Sequence, residues 1–307
     1  MGAVKVIINK ELKVAFNSLL IYIAYTAFLC VTGFVCWFSG KNIFSSGQAS
    51  LSNLFNVFYW TLFFLIPALT MKSISEERKD GTFELLFSKP IKTWQLIMGK
   101  FFAILLQVVI CLALTLPYYI TIASLGNVDH AVGFCGYLGL ILVCGCYISI
   151  GMFASSLTPN TIVAFFITFA IEIGFVVLFE FIAELWGSGF MAALFTYLSI
   201  GEHFDAIPRG VIDTKDLIYF ISVIIIFLAL ARKSVLIFST KVMKKKLIYN
   251  PTYLILSLIA VNIISYFLFI RIDLTSNKKY SLSPVSKTMI KKIDKDISVT
   301  LFMSEGL

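Results

Sequence analysis

Charge is what this chain has least of. Asp, Glu, Lys and Arg together make 14% of its 307 residues, against 59% hydrophobic side chains, and the mean hydropathy is +0.92. Those values exclude one or two soluble domains and require a polytopic membrane protein. Catalytic and nucleotide-binding signatures are missing too. Neither Gly40-Lys41 nor Gly99-Lys100 has a glycine five residues earlier, so there is no phosphate-binding loop. There is no His-Glu-x-x-His and no Cys-x-x-Cys. All six cysteines fall in apolar runs; Cys144-Gly-Cys146 has the softness for Cu(I), but small buried packing residues are the simpler reading. His203, beside Glu202 and Asp205, lacks a fixed ligand spacing. No metal and no cofactor are expected. A cleavable signal peptide is also lacking: the first apolar run, about 20 residues from Leu19, is too long for one and has no small-residue cleavage site. Cys30 and Cys36 follow Leu29 and Val35, not the small residue that a lipidated cysteine prefers.

What charge there is leans positive, to a net +8. Beside apolar spans such residues set topology, so no nucleic-acid partner is expected. Spans are expected near 19–38, 54–71, 101–125, 133–155, 161–181 and 217–234, with a seventh at 253–270. Each is about 20 residues, enough at 1.5 Å per residue to cross ~30 Å of hydrocarbon. With the N-terminus inside, segments 1–18, 72–100 and 232–250 carry three, six and six Lys or Arg residues. The outer loops 39–53, 126–132 and 182–216 carry one, none and two. Seven more follow residue 270, on the outer side, where a soluble domain translocates largely regardless of charge. Trp37, Tyr59, Trp60, Trp94 and Trp186 fall near span ends as an aromatic belt, and Pro67 and Pro117 are expected to kink spans two and three.

Residues 72–100 form the one long polar island in the apolar part. Glu76, Glu77, Arg78 and Lys79 lead to an Asp80-Gly81 turn, after which Thr82 can cap a short helix. That helix carries Phe83, Leu86 and Phe87 at i, i+3 and i+4, with Glu84 in its first turn. It is too short to span a bilayer and suits docking to a partner. Pro90 stops it, and Thr93 can cap the next helix. Residues 4–19 make an amphipathic interfacial helix, with Val4, Ile8, Leu12, Ala15, Phe16 and Leu19 on one side and Lys5, Asn9, Lys10, Lys13 and Asn17 on the other. Glu11 projects from the apolar side, either snorkelling to the interface or bonding a neighbouring element.

Span four carries Gly133, Gly136, Gly139, Gly145 and Gly151, a pattern for close helix packing. Glu172 sits near the middle of span five. A carboxylate there costs about 2.5–3.5 kcal/mol, so it must face protein or water. A neutral, hydrogen-bonded acid is the default expectation and a proton or cation pathway the alternative.

Several of these segments together carry a family resemblance. Lys10-Glu11-Leu12, Glu77-Arg78 with Gly81-Thr82-x-Glu84-Leu85-Leu86, Pro90-Ile91 and Gly99-Lys100-Phe101 resemble the membrane subunit of a type-2 ABC exporter. Leu198-Ser199 through Arg209-Gly210-Val211-Ile212-Asp213 is similar to the gliding-motility (GldF-like) branch. The resemblance covers roughly residues 1–235. It implies an all-α, six-span permease with an elbow helix at 1–18 and a domain at 19–235. It implies a cytosolic coupling helix in 72–100 and no catalytic residue. A separate ATP-binding subunit, loaded with ATP and Mg, would be the motor, and permease subunits would pair as homo- or heterodimers in a bacterial inner membrane.

The rest of the chain departs from a plain permease. Residues 236–252 form a basic cytosolic linker whose Lys244-Lys245-Lys246 suits anionic headgroups. Arg271-Ile-Asp273-Leu274-Thr275 and Tyr280-Ser-Leu-Ser283 resemble the opening of a GldG-like auxiliary subunit. Ser283 can cap a helix led by Pro284, and 297–302 reads as a strand. Since a lone helix and strand cannot bury a core, 271–307 is expected to be the truncated start of an extracytoplasmic α/β domain. Two functions of other classes compete: a secondary transporter or channel leaning on Glu172, and a membrane platform for an envelope or gliding-motility machine.

Overall fold

A computed structural model describes residues 2–38, 51–82, 91–126, 128–243, 250–281 and 284–291. Within them the protein is an all-α polytopic membrane protein with six helices long and apolar enough to cross a membrane: Leu19–Phe38, Leu51–Lys79, Thr93–Leu125, His130–Leu157, Thr161–Trp186 and Thr214–Phe238. The first helix, α1 (Gly2–Phe16), precedes α2 (Leu19–Phe38) and packs against α5 (Thr93–Ala113). Its buried residue is Ile7, which the expected apolar stripe did not include. Span two is α3 (Leu51–Thr70), which runs through Pro67, followed by a turn and the short α4 (Ser75–Lys79). Span three is α5 and then α6 (Leu116–Leu125). They part at Leu114-Thr115, just before Pro117, which has no N–H to continue the ladder. The Thr115 hydroxyl answers one freed carbonyl, lying 2.6 Å from the oxygen of Leu112.

Helix α7 (His130–Leu157) is the centre of the bundle, packed by α3, α5, α8 and α12. It is apolar on every side, as a helix enclosed by others must be. Its glycines allow the approach: a Cβ at Gly136 would collide with the Phe55 ring of α3, and one at Gly151 with the Thr70 hydroxyl. Span five is α8 (Thr161–Ile173), a π turn at Gly174–Leu178, and α9 (Phe179–Trp186). Nothing in the apolar run signals that π turn.

The loop expected at 182–216 is largely structured. It holds α10 (Phe190–Leu198), α11 (Ile200–Asp205), a 3₁₀ turn (Ile207–Arg209) and β1 (Val211–Asp213). Span six, α12, runs from Thr214 to Met243, so helix occupies residues assigned to the basic linker. The seventh apolar helix, α13, is Thr252–Phe267, shorter than the expected 253–270. It lies against α12, and β2 (Arg271–Asp273) pairs antiparallel with β1, Val211 opposite Asp273 and Asp213 opposite Arg271. The last described element is α14 (Pro284–Lys291). The Ser283 cap, Lys244-Lys245-Lys246 and the expected strand at 297–302 lie outside the described residues. Two smaller expectations are corrected. Thr93 is the first residue of α5 rather than its cap, with Gln95 accepting from the Lys92 N–H at 3.1 Å. Tyr59 is a core residue, stacked on Phe204 at 4.9 Å, rather than a member of an interfacial belt.

Candidate functional site: the loop end of the bundle

At the end that bears residues 72–82, three segments distant in sequence meet on one ammonium. Lys100, on α5, lies 3.2 Å from Glu11 of α1 and 2.9 Å from Glu77 of α4. It is 3% exposed, and the carboxylates are 21% and 14% exposed, so water screens the cluster weakly. Lys10 joins at 3.5 Å from Glu11 and 3.8 Å from Glu77, balancing two positive charges against two negative ones. Glu11 is therefore held by a specific partner from the apolar side of its helix. A cavity of about 240 Å³ opens beside the cluster, with Glu11, Lys72, Glu76 and Lys100 among its walls.

A second set of bonds fixes α4 to the end of α7. The Ser155 hydroxyl accepts from the N–H groups of Ile74 and Ser75 at 3.0 Å each, and lies 3.0 Å from the carbonyl of Met71. Arg78 donates through Nη1 to the carbonyl of Ser156, and its guanidinium lies 4.8 Å over the Phe238 ring of α12. Ser234 of α12 donates to the same Ser156 carbonyl at 2.8 Å. The polar island is thus anchored to spans three, four and six and to α1, and α4 cannot shift without straining them.

Of the sequence-derived positions, Glu11, Glu77 and Lys10 come together around Lys100, and Arg78 follows Glu77 on α4. Glu76 is exposed and pairs with Lys72, at 3.8 Å. Gly81 takes φ 71°, the left-handed conformation that makes glycine fit the turn. Thr82 is exposed, its hydroxyl 3.3 Å from the Glu77 carbonyl. Phe83, Glu84, Leu86 and Phe87 lie outside the described residues. Glu172 belongs to a different place. It is fully buried within the bundle, yet neither carboxylate oxygen has a hydrogen-bond partner among the described residues, unlike the hydrogen-bonded acid expected. Sequence reasoning missed Lys100 as the hub. The signal was available: a lone cation in the run 94–125 needs an anion, and Glu11 was an anion on an apolar face.

The opposite end is closed by its own polar contacts. Arg271 donates to both oxygens of Asp213, from Nε at 2.9 Å and Nη2 at 2.7 Å. The hydrogen bonds it donates to Asp213 raise the Arg271 guanidinium above its ordinary value. Asp129 caps α7 through the Ala131 N–H at 3.0 Å and accepts from the backbone and hydroxyl of Ser276. His203 is buried with Nδ1 2.6 Å from Asp216 and Nε2 2.8 Å from the Tyr197 carbonyl, so both nitrogens already face protein acceptors. Among the described residues no cluster of His, Cys, Asp or Glu is arranged to hold a metal.

The comparisons agree with this architecture. The model of the ABC-2 family of transporter proteins matches residues 6–274. The chain belongs to that family, as a membrane permease subunit of an ABC transporter. The match passes residue 235, where the sequence resemblance stopped, and takes in α13 and β2. Comparison with curated proteins found no match.

Proposed function

We propose that this permease is driven by a separate ATP-binding subunit seated on residues 72–100, and that it works as an exporter. The observation behind this is the Lys100–Glu11–Glu77 cluster. A push on the polar island from outside the bilayer reaches α1 and α5 through charges and α7 and α12 through Ser155, Ser156 and Arg78. The docking surface itself is assigned to Phe83, Leu86 and Phe87, whose burial against a partner is worth roughly 1.5–3 kcal/mol each. Glu84 would meet a cation there. The permease would act as a pair of subunits in a bacterial inner membrane, with α1 and the 72–100 loop cytosolic and the residues after 270 extracytoplasmic. The Leu198–Asp213 segment supports the gliding-motility branch, and the segment from Arg271 a fused auxiliary subunit.

Leu86→Asp should leave insertion and subunit pairing intact while releasing the ATPase during purification and abolishing stimulated ATP hydrolysis. Retention of the ATPase at wild-type stoichiometry and turnover would overturn the docking assignment. Cysteines at Thr82 and Lys279, in a background lacking the native ones, should react from opposite sides of the membrane; same-side reaction would refute the topology. Loading of substrate into inverted vesicles with ATP tests direction, and ATP-driven efflux from them would refute export.

A further inference from the structure

Three buried side chains, carrying four oxygens without an ordinary hydrogen bond, lie in series near the middle of the bundle. Glu172 closes the last turn of α8 at zero exposure. Tyr147 of α7, also fully buried, lies within electrostatic reach of it, and its hydroxyl has no hydrogen-bond partner beyond the neighbouring Tyr59. The Tyr59 ring of α3 is 6.4 Å from that of Tyr147, and its buried hydroxyl likewise has only Tyr147 to bond. Tyr59 in turn lines a cleft of about 360 Å³, whose wall includes Ser52, Asn56, Glu180, Asp205 and Arg209. Buried polar groups are nearly always satisfied, and an apolar side chain at any of these positions would be cheaper. Their continuity from an open cleft to a carboxylate is the feature that needs a cause.

We propose that Glu172 is a proton-binding site, loaded from the outer cleft through Tyr59 and Tyr147. A phenol hydroxyl both donates and accepts, so a proton taken on one side of the oxygen can leave from the other. In the net step a hydronium in the cleft loses an O–H bond and becomes water, and the Glu172 carboxylate gains one and becomes the acid. Nothing is oxidised or reduced. The groups facing Glu172 suit this role. From α7 they are Cys144 and Tyr147; from α3, Tyr59 reaches it through Tyr147. The acidic residues Glu180, past the π turn on the same span, and Asp205, on α11, act on Tyr59 and attract cations to the cleft. Arg209 pairs with Asp205 at 3.6 Å on the exposed rim. The charged residues of α4, Glu76, Glu77, Arg78 and Lys79, sit at the loop end, where α8 begins. Among the described residues no ion pair reaches Glu172, so its charge is set by the proton alone. The π turn that starts two residues later loosens the helix ladder beside the site, as such turns do where a helix must yield. This inference stands apart from the docking proposal, since it concerns neither residues 82–88 nor the ATPase.

Infrared difference spectroscopy on the purified full-length chain, transferred from H₂O to D₂O, tests it. A protonated-carboxyl band absent from Glu172→Gln should exchange with solvent deuterium, and Tyr59→Phe and Tyr147→Phe should each slow that exchange severalfold. A purely structural acid would exchange at one rate in all backgrounds, and that result overturns the proposal. A probe on the unsubstituted chain covers the case in which Glu172→Gln does not fold. Dicyclohexylcarbodiimide takes up the carboxyl proton on nitrogen and the oxygen on carbon, then rearranges to an N-acylurea with nothing lost. Mass spectrometry should find the adduct on Glu172, declining as the pH rises. Absence of adduct at Glu172 at every pH overturns the proposal as well.

Discussion

Arg271 forks onto Asp213, a carboxylate only 1% exposed, across 58 residues of chain. The pair closes the rung between β1 and β2 and so ties the end of α13 to the start of α12. Two reciprocal bonds extend it: Thr214 N–H to the Ile270 carbonyl at 3.1 Å, and Ile270 N–H to the Thr214 hydroxyl at 2.9 Å. Arg271→Ala leaves Asp213 buried without its cation. Because Arg271 itself is about half exposed, the expected loss lies below the 3–5 kcal/mol of a fully buried pair, at about 1–2 kcal/mol. Hydrogen exchange should show α13 and residues 271–281 opening more often, with α7 unchanged. Equal protection in wild type and variant would show that β2 is held by its backbone alone.

Acid should release the same strap. Asp129 is held below the ordinary carboxylate value of 3.8 chiefly by the backbone N–H of Ser276, and Asp273 chiefly by the hydroxyl of Thr275. A depressed folded value means that the stabilisation is fully present above pH about 3.8 and is lost as the pH falls through the lower, folded value. Between pH 7 and 5 the amides of Ser276 and Tyr280, which donate to these carboxylates at 2.8 Å, should keep their protection against exchange. Below pH about 3.8 they should progressively lose it. Loss already at pH 6 would contradict the assignment.

The loop-end cluster should be far more sensitive than its neighbours. Lys100→Met removes the buried cation between Glu11 and Glu77 and is expected to cost about 3–5 kcal/mol, the cost of stranding buried charge. Lys72→Met, which breaks an exposed i,i+4 pair with Glu76, should cost about 0.3–0.5 kcal/mol. Thermal unfolding in detergent compares the two directly, and similar midpoints would mean that the cluster is screened by water.

Gly151 and Gly174 make a matched pair for packing. A methyl at Gly151 meets the Thr70 side chain, whereas one at Gly174 meets nothing within 4 Å. Gly151→Ala should destabilise by about 1–3 kcal/mol through overpacking. Gly174→Ala should be neutral or stabilising by up to about 0.5–1 kcal/mol. Reversed signs in the same unfolding assay would remove the close α3–α7 approach as a determinant of the bundle.

Hydropathy was enough to read six spans, because 20-residue apolar runs have few other uses. The positions of Glu77, Arg78 and Gly81 were legible for the same reason: polar residues between spans stand out. The partners were not. Lys100 looked like the start of a span, since nothing local links it to Glu11, 89 residues earlier. The π turn after Glu172 and the helix at 190–198 leave no periodic signature, because exposed and buried positions there are equally apolar. The resemblance of Arg271-Ile-Asp273 to an auxiliary subunit gave no hint that it pairs with Val211–Asp213 as the second strand of a ladder.

The link from Lys100 to Glu11 also sets a clock on biosynthesis. At about 5–20 residues per second, the ribosome adds Lys100 some 4–18 s after Glu11. During that interval the first helix carries, on its apolar side, a carboxylate with only the exposed Lys10 beside it. It has to wait at the membrane surface, since the helix it finally packs against has not yet been made. Insertion of the third span is therefore the event that lets the N-terminus settle, and mutations that delay that span should expose the N-terminus first.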